Sequence, residues 1–331
     1  MAKKILVTGG LGFIGSHVVD ELVKEGHEVI VYDDLSGCSG KNSCLSAKYS
    51  VINISDPKIT VKAVEKLAPD EVWHLAANAR EGGSWFQPQN VVARNSFGVI
   101  NVLEGAIRGG NLKKFVFFSS MSVYGNQEAP YTEDMEPKPD NPYAVSKHAA
   151  ERYVQLLGDL YHYDWVIIRP HNVFGERTFR PDRIRNVIAI FINQVLRGES
   201  INIYGDGSHK RAHSYIYDCI DPIMKAGELK NEVINIGGER AFTIKETAEI
   251  VRKALREPRW GIKYLDGRYK EVPFAFCSHD KARELLDFKE VIGAEEGIKR
   301  VVEAFVEEGP VEYDDKEPLT IKSEKKPKTW N

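Results

Sequence analysis

The chain has 331 residues, of which 42% are hydrophobic and 28% are charged, a composition that predicts a folded protein with a large core. Its formal net charge of −3 offers no basic excess to a nucleic acid, and no apolar run approaches the roughly 18 residues of a membrane span. The opening MAKKILVTGG is too short in apolar residues for a signal peptide. We therefore expect a cytoplasmic protein without nucleic-acid or membrane partners.

Four cysteines stand at positions 38, 44, 219 and 277 without forming a CxxC pair, and no His or Cys cluster has the spacing of a zinc site. We therefore predict no metal site. Reduced thiols are the favoured interpretation, and a disulfide between Cys38 and Cys44 is the alternative.

Short apolar runs alternate with amphipathic, helix-length segments through the first half of the chain. The apolar runs are KKILVTGG, HEVIVYDD, YSVINISD, DEVWHLAA, KKFVFFSS and WVIIRP. The intervening helices extend to about Glu25, near 58–67, near 88–108 and from PYAVSKHAAERYVQLL onward. This alternation predicts an α/β protein with a doubly wound, six-stranded parallel sheet of the Rossmann type.

The strand and helix rhythm breaks after about Gly175 into a segment rich in Arg, Gly and Asp, where we place a smaller C-terminal α/β substrate-binding domain. A later strand, EVINIGG, and a helix, TIKETAEIVRKALRE, indicate that the two halves interleave. We predict a cofactor domain over 1–174, a substrate domain over 175–308, and elements near 208–240 that both share. The charged tail over 309–331 is expected to be exposed.

The segment VTGGLGFIGSH has the pattern of a dinucleotide-binding loop. Three glycines between the first strand and the first helix let the backbone approach a pyrophosphate at the helix N-terminus. Asp33 ends the second strand about 20 residues later, where it can accept hydrogen bonds from ribose hydroxyls. It would repel a 2′-phosphate, and DDLSGC has no arginine to hold one, so NAD is favoured over NADP. Asp56 has two interpretations, an adenine contact or a cap for the next helix.

Tyr143 and Lys147 in YAVSK are four residues apart at a helix start, so both side chains leave one face of the helix. A nearby ammonium lowers the pKa of a phenol and makes the phenolate accessible near neutral pH. The stretch SSMSVYG follows the fifth strand, which places Ser119 and Ser120 at the same carboxyl edge of the sheet. Such a set can take a proton, anchor an oxygen and support hydride transfer to a nicotinamide.

A series of motifs runs along the chain: TGGLGFIGSH, VYDDLSG, HLAA, ARNSFGVINVLEGA, FFSSMSVYG, NPYAVSKHAAE, IIRPHNVFG, GDGSHKRAHSYIYD and GRYKEVPFAFCSHDKARELL. In order and approximate spacing they resemble the extended short-chain dehydrogenase/reductase family, in particular its nucleotide-sugar epimerase and dehydratase branch. The resemblance covers about 3–305. It implies NAD as cofactor, a UDP-sugar as substrate, and a homodimer formed by the helices near 88–108 and 143–158.

The resemblance also implies residue roles, with Tyr143 as the base, Lys147 holding the nicotinamide ribose and Ser120 hydrogen-bonding the sugar O4. The implied cofactor-binding residues are Gly9, Gly12, Phe13, Ile14, Gly15, Asp33, Asp34, Leu35, Ser36, Asp56, Leu75, Ala76, Ala77, Asn95, Tyr143, Lys147 and His171. The implied substrate-binding residues are Ser120, Tyr143, Asn172, Asn186, Tyr204, Arg211, Arg268 and Glu271. Among these, Asn172 and the two arginines correspond to diphosphate contacts, and Glu271 replaces a usual aspartate toward the nucleotide ribose.

The reaction implied by the family is a 4-epimerisation through a 4-keto sugar. Dehydratases that resemble this frame carry an Asp-Glu pair directly after the hydroxyl residue, and the related decarboxylases carry a glutamate at the second of these positions. Here the two positions are Met121 and Ser122, neither of which transfers a proton at neutral pH. SSMSVYG therefore favours epimerisation. His171 occupies the place of an aromatic ring near the nicotinamide, and we expect it to be packed and neutral.

The sugar is left open by the sequence, with UDP-glucose and UDP-galactose as the expected pair. Four arginines follow Gly175 closely, and they form either a solvated loop or a site for the carboxylate of UDP-glucuronate: Arg177, Arg180, Arg183 and Arg185. Ala275 falls where hexose-selective relatives have a bulky tyrosine, which leaves room for an N-acetyl group. A protein of another class, a non-catalytic NAD-responsive binder, is the remaining alternative, and retention of the Ser120, Tyr143 and Lys147 trio argues against it.

Overall fold

We describe the protein from a computed structural model, which covers residues 2–38, 41–257, 259–314 and 318–330. The strands in this part of the chain are β1 (Lys4–Thr8), β2 (Glu28–Asp33), β3 (Lys48–Val51), β4 (Glu71–His74), β5 (Lys114–Phe118), β6 (Asp164–Pro170), β7 (Val173–Phe174), β8 (Ile201–Tyr204), β9 (Lys210–Ala212), β10 (Ser214–Tyr215), β11 (Glu232–Ile236), β12 (Ala241–Thr243), β13 (Ile262–Leu265) and β14 (Phe274–Ala275). The helices are α1 (Phe13–Lys24), α2 (Pro57–Leu67), α3 (Pro88–Val92), α4 (Gly98–Gly109), α5 (Pro142–Tyr161), α6 (Val187–Leu196), α7 (Ile216–Gly227), α8 (Ile244–Leu255), α9 (Asp280–Leu286) and α10 (Gly293–Glu308).

The main sheet is parallel and, among the described residues, has seven strands in the order β3-β2-β1-β4-β5-β6-β11. The predicted doubly wound fold is confirmed, because the strand order reverses between β1 and β4 and opens a crevice at the carboxyl ends of the strands. The predicted number of six strands is wrong. EVINI returns to the sheet after the substrate-side segment and pairs with β6, a long-range pairing that local periodicity does not reveal.

Helices cover both faces of the sheet. Residues of α2, α4 and α5 share one core with the strands, and residues of α1, α7 and α9 share the other. All five residues of β5 are buried, as expected for a parallel strand between two helical layers. Helix α1 directs Val18, Val19 and Leu22 into its core, each at most 2% exposed. These layers hold the carboxyl ends of β1, β4, β5 and β6 in register along one edge.

The second part of the chain is built around α6, α8 and α10, whose apolar faces form a separate core. Short strands connect it, with β8 pairing with β13 and β9 lying between β12 and β14. A two-stranded pairing of β7 with β10 follows directly on β6 and links the two parts. Both parts contribute to one large cleft at the carboxyl edge of the main sheet.

Most described residues of the tail beyond Gly309 are exposed, as expected, but the tail is attached to the rest of the chain at several points. Val311 exchanges two hydrogen bonds with Asn193, and the backbone of Ile321 donates to the carbonyl oxygen of Phe86 at 2.9 Å. Most charged side chains of the described tail residues are exposed, but Trp330 is only 5% exposed, because it packs against two aromatic rings. Residues 315–317 and 331 of the predicted tail lie outside the described residues.

Two further expectations concern cysteines and membranes. The thiols of Cys38 and Cys44 do not form the alternative disulfide. No helix of the described residues combines the length and apolar character that a membrane crossing needs.

Candidate active site

A cleft of about 880 Å³ runs along the carboxyl edge of the sheet. Most of the predicted cofactor residues and all of the predicted substrate residues line it. The cofactor residues that line it are Gly9, Gly12, Phe13, Ile14, Gly15, Asp33, Asp34, Ser36, Leu75, Ala76, Ala77, Tyr143, Lys147 and His171. The substrate residues that line it are Ser120, Tyr143, Asn172, Asn186, Tyr204, Arg211, Arg268 and Glu271.

The glycine loop has no space for side chains at Gly9 and Gly15. A Cβ atom on Gly15 would lie 2.1 Å from the carbonyl oxygen of Gly9, and one on Gly9, whose φ is +71°, would lie 2.6 Å from the backbone nitrogen of Ala76. Helix α1 begins after Gly12 without a side-chain cap, so its first N–H groups face the cleft unblocked by a side chain. This cradle fits the pyrophosphate of a dinucleotide.

Asp33 lies at the end of β2 with both carboxylate oxygens already oriented. One oxygen accepts from the backbone of Leu11 at 3.1 Å and the other from Leu35 at 2.9 Å. Burial raises the pKa of this carboxyl group, and the two backbone hydrogen bonds act in the opposite direction. Each oxygen keeps a second lone pair, so two ribose hydroxyls can still donate to it.

Arg94 is a cleft residue that the sequence analysis missed. It comes from the single π-helical turn Ala93–Phe97 between α3 and α4. Its guanidinium lies 3.1 Å from the carboxylate of Asp34 and donates to the hydroxyl of Ser36 at 2.7 Å. An arginine therefore does reach the DDLSGC turn, where its guanidinium is paired with the carboxylate of Asp34. Its position inside ARNSFGVINVLEGA was the one available signal.

Three predicted cofactor residues do not line the cleft. Asp56 accepts from the backbone of Lys58 at 2.9 Å and thus caps α2, the alternative interpretation, while its adenine contact stays a prediction. Asn95 is fully buried, where it accepts from the backbone of Asn78 and donates to the hydroxyl of Ser146. Leu35 lies beside the site and contributes its backbone N–H to Asp33. Asn95 therefore supports the cleft residue Asn78, and Leu35 supports the cleft residue Asp33.

Helix α5 positions the predicted catalytic pair. Asn141 caps this helix, its side chain accepting from the backbone of Ala144 at 2.9 Å, and Pro142 occupies the first turn. One turn in, Tyr143 is 7% exposed and Lys147 is 2% exposed. The ammonium of Lys147 donates to the carbonyl oxygen of Phe118 at 2.6 Å, so it is held at the end of β5.

The predicted lowering of the Tyr143 pKa by Lys147 is wrong for this structure. Burial raises the pKa of the phenol to about 12, and the Ser120 hydroxyl opposes this only in part. Burial also lowers the pKa of Lys147 to about 7. The ammonium of Lys147 is hydrogen-bonded to Phe118, and burial disfavours the charged forms of both Tyr143 and Lys147. The phenol is therefore protonated at neutral pH in the absence of a bound cation.

The stretch SSMSVYG forms a short 3₁₀ turn after β5. The Ser120 hydroxyl caps this turn by accepting from the backbone of Ser122 at 3.1 Å, and it lies 3.1 Å from the Ser122 hydroxyl. Met121 is buried, with its sulfur 3.9 Å from the side-chain nitrogen of Asn172. The positions that carry acids in the related dehydratases thus hold a thioether and a hydroxyl.

His171 is packed, with 1% of its surface exposed. Its ring stacks on His279 at a centroid distance of 5.0 Å, and their Nε2 atoms are 2.8 Å apart. Burial lowers the pKa of His171 to about 3, so the ring is neutral at physiological pH. A neutral ring at this place can fill space against a cofactor and cannot act as an acid.

The arginines expected at the diphosphate surround Glu271. Arg268 binds both oxygens of this carboxylate, and a guanidinium nitrogen of Arg211 lies 3.5 Å from it. Burial opposes ionisation of Glu271, but Arg268 outweighs it and lowers the pKa of the carboxyl group. The guanidinium of Arg268 also lies over the ring of Tyr204 at 5.4 Å. Glu271 therefore aligns two cations, and its expected ribose contact stays a prediction.

The four arginines after Gly175 do not form one cluster. Arg177 contacts Asp20 at 2.7 Å, and Arg180 contacts Glu308 at 3.1 Å. Arg183 donates to the carbonyl oxygen of Thr329 at 3.3 Å. Arg185 lines the cleft, and no ion pair to it is found within the described ranges. Its charge lowers the pKa of both Tyr143 and Lys147, which places it near the catalytic pair.

Asp182 fixes the loop that carries Arg185. One carboxylate oxygen accepts from the backbone of Ile184 at 2.8 Å and of Arg185 at 3.3 Å. The other accepts from the guanidinium of Arg80 at 2.8 Å, and this ion pair is buried. Arg80 and Asp182 gave no signal in the sequence, because 102 residues separate them.

Known proteins share this architecture. A family model described as the NAD dependent epimerase/dehydratase family matches residues 5–237. A putative UDP-glucose 4-epimerase of Methanocaldococcus jannaschii is 36% identical over 306 residues, covering 90% of this chain and 97% of that protein. The crystal structure of a UDP-glucose 4-epimerase of Thermotoga maritima with UDP-glucose has a TM-score of 0.85 at 34% identity, covering 92% of this chain and 99% of that one. A UDP-glucuronic acid 4-epimerase of Bacillus cereus, in complex with UDP-glucuronic acid and NAD, has a TM-score of 0.82 at 28% identity, covering 91% and 98%.

The doubly wound sheet, the glycine loop with Asp33, and the Tyr143 and Lys147 pair at the same edge define an extended short-chain dehydrogenase/reductase. Within that class, the chain belongs to the NAD dependent epimerase/dehydratase family. The family resemblance seen in the sequence is thereby confirmed. The cofactor is NAD, as predicted.

Proposed function

We propose that this protein is an NAD-dependent 4-epimerase of UDP-sugars, with UDP-glucose and UDP-galactose as its expected substrate pair. One observation carries the proposal. Ser120, Tyr143 and Lys147 line one cleft with the glycine loop, while Met121 and Ser122 stand where elimination would need an acid and a base. Two relatives that are covered over nearly their whole length are named as a putative UDP-glucose 4-epimerase and a UDP-glucose 4-epimerase.

Each residue of the trio has a separate task in this proposal. When bound, NAD supplies a reversible hydride acceptor on a positively charged ring. Tyr143 accepts the proton of the sugar 4-hydroxyl and returns it, and Ser120 holds the same oxygen by a hydrogen bond. Lys147, anchored on Phe118, holds the nicotinamide ribose. Arg211 and Arg268 bind the diphosphate, so the sugar can turn over while its nucleotide stays fixed.

UDP-glucuronate is a second candidate substrate, and Arg185 is the observation that favours it. Its guanidinium lines the cleft close enough to the catalytic pair to lower both pKa values. The side chain of Asp182 fixes its backbone. A carboxylate on C6 of the sugar is a suitable partner for a guanidinium in this place. UDP-N-acetylhexosamines stay a third alternative, since Ala275 is small and lies in the cleft wall.

The test is incubation of the NAD-loaded protein with UDP-glucose, UDP-glucuronate and UDP-N-acetylglucosamine separately, followed by chromatographic resolution of the C4 epimers. We expect an epimer from UDP-glucose and no net change in NADH. If UDP-glucuronate is the substrate, Arg185→Gln lowers its kcat/KM about tenfold or more and leaves UDP-glucose turnover much less affected. No epimer and no reduction of bound NAD with any sugar would contradict the enzyme and favour the NAD-responsive binding protein.

The assembly and the compartment are part of the same proposal. A homodimer would form through α3 and α4 together with α5, as the family resemblance implies. The outer face of α5 carries large apolar side chains that are about half exposed: Val145, Tyr153, Leu156 and Leu160. Such a face is suited to a second copy of the chain. We keep the cytoplasmic location as the expectation drawn from the sequence.

A further inference from the structure

The tail is the part of the chain that the proposed function does not use. It leaves α10 at Gly309 and is attached at successive points: to Asn193 through Val311, to Pro181 through Asp314, and to Phe86 through Ile321. Its last described residues then contact Arg183 and Tyr204. The path therefore connects the substrate-side core to the 3₁₀ turn Gly82–Phe86 at the rim of the cleft.

Trp330 is the buried end of this path. Its ring meets Phe86 at a centroid distance of 6.5 Å and Tyr204 at 6.3 Å, both edge to face. A Cβ atom on Gly82 would lie 2.8 Å from the indole, so the ring rests directly on this glycine. Trp330 and Thr329 both line the cleft. The indole thus forms part of its wall.

The same corner holds the groups expected to bind the nucleotide. Arg268 lies over Tyr204, and its guanidinium is 3.8 Å from the Cβ position of Gly82, on which Trp330 rests. The hydroxyls of Tyr204 and Thr329 are hydrogen-bonded to each other. A tail residue and two predicted substrate residues therefore enclose one small space.

The indole N–H of Trp330 has no hydrogen-bond partner within the described part of the chain, although its residue is only 5% exposed. A buried donor left without an acceptor costs about 1–3 kcal/mol. The nitrogen itself is covered in this structure, so an acceptor from a ligand in the cleft recovers this cost once the ring or its neighbours shift to admit it. The carbonyl and phosphate oxygens of a nucleoside diphosphate are acceptors of this kind, whereas the surrounding arginines supply donors alone.

We propose that the tail is a component of the substrate site, in which Trp330 closes the nucleotide end of the cleft and donates its indole N–H to an oxygen of the nucleoside diphosphate. This inference rests on the proposed function for the nature of the ligand. The relatives leave 8–10% of this chain unmatched while covering 97–99% of their own length, so this chain carries residues that they lack. In this proposal Trp330 is a specificity-determining residue of the substrate site.

The test measures UDP binding to the NAD-loaded full chain by calorimetry, separately from turnover. We expect Trp330→Phe, which keeps a ring and removes the donor, to weaken UDP binding about fivefold, and Trp330→Ala about tenfold or more. Turnover of UDP-glucose should show a raised KM and a nearly unchanged kcat. Lys322→Ala, an exposed change in the same tail, is the matched control and should bind UDP like the parent chain.

The outcomes separate this inference from the proposed function. Unchanged UDP affinity in both Trp330 variants overturns the inference and leaves the epimerase intact, and absence of UDP binding by the parent chain overturns it too. Tighter UDP binding by Trp330→Ala also contradicts the inference, because it would show that the tail blocks the nucleotide site. Weakened binding in a chain that epimerises no UDP-sugar retains the inference and refutes the function. Hydrogen exchange on the parent chain needs no variant: UDP should slow exchange over 318–330, and an unchanged rate contradicts the proposal.

Discussion

At the scale of single residues, the site combines a base that is hard to ionise with a lysine that is hard to protonate. Burial raises the pKa of Tyr143 to about 12 and lowers that of Lys147 to about 7. Both shifts have the same origin, the exclusion of water from the start of α5. The site is therefore poised so that a positive charge brought into the cleft changes the protonation of the phenol.

Tyr143→Phe is expected to abolish epimerisation, a loss of at least about 10³-fold in kcat, because the Ser120 hydroxyl is not a base and the Lys147 nitrogen is held on the carbonyl oxygen of Phe118. NAD should stay bound, since the glycine loop and Asp33 are unchanged. In the parent enzyme, kcat should increase with pH, because the phenolate fraction increases toward the raised pKa of Tyr143. Rates of C4 epimer formation between pH 6 and 9, with bound NAD measured after denaturation, test both statements.

Tyr153→Phe provides the control for this experiment. Tyr153 lies on the same helix, 45% exposed, so loss of its hydroxyl should leave turnover unchanged. Retained activity in Tyr143→Phe would show that another group is the base.

At the scale of elements, a buried ion pair fastens α5 to β6. The carboxylate of Glu151 accepts from the guanidinium of Arg169 at 2.9 and 2.7 Å, and both residues are at most 4% exposed. Arg169 also donates to the hydroxyl of Tyr124 at 2.8 Å, which links the SSMSVYG turn to the same pair. The helix that carries the base and the turn that carries Ser120 are thus fixed to one strand.

Glu151→Gln is expected to lower the free energy of unfolding by about 3–5 kcal/mol, because it leaves the charge of Arg169 buried without its partner. Burial opposes ionisation of Glu151, but the hydrogen bonds from Arg169 outweigh it and lower the pKa. Because the pKa of Glu151 is lower in the folded state, the ionised carboxylate stabilises the fold at pH values above the unfolded-state pKa. This stabilisation is lost as the pH falls through the folded-state pKa. The difference between parent and variant should therefore shrink in acid. Urea unfolding at pH 7 and pH 4 measures it.

Glu249→Gln is the matched control on α8. Its carboxylate pairs with Arg252 three residues along the helix surface, half exposed, so the change should cost less than about 1 kcal/mol. Equal costs at the two positions would refute the assigned role of the buried pair.

At the scale of the whole molecule, the exposed apolar face of α5 predicts the assembly. Leu156→Asp, in the middle of that face and 54% exposed, should convert the homodimer to a monomer, because a carboxylate would be buried in the interface without a partner. Light scattering coupled to size exclusion gives the molar mass. Leu285→Asp on α9, 42% exposed, is the control and should stay dimeric. A parent chain that elutes as a monomer contradicts the predicted dimer.

Local patterns in the sequence predicted the features that depend on neighbours along the chain. The buried run KFVFF, the glycine loop and the four-residue spacing of Tyr143 and Lys147 each lie within one element or one turn, so periodicity and residue type suffice. Contacts between distant segments escaped the sequence analysis. Lys147 donates to the carbonyl oxygen of Phe118, Arg94 pairs with Asp34, and β11 pairs with β6.

The tail illustrates the same limit. Its lysines, glutamates and prolines indicate an exposed chain, and composition gives no sign that one tryptophan has a cavity elsewhere in the fold. Gly82 leaves that space, and Phe86 and Tyr204 border it. Only the assembled cleft brings these residues together.

The position of β11 at the edge of the sheet governs how this protein can be synthesised. While the ribosome is still translating 171–231, the outer edge of β6 carries unpaired N–H and C=O groups, an edge that other chains can join. The sheet of the cofactor part is complete only when Ile236 has emerged from the ribosome. It therefore folds after much of the substrate-side segment has left the ribosome. A gene fragment ending at 174 would therefore encode an aggregation-prone sheet, and a shorter expressible unit must extend beyond β11.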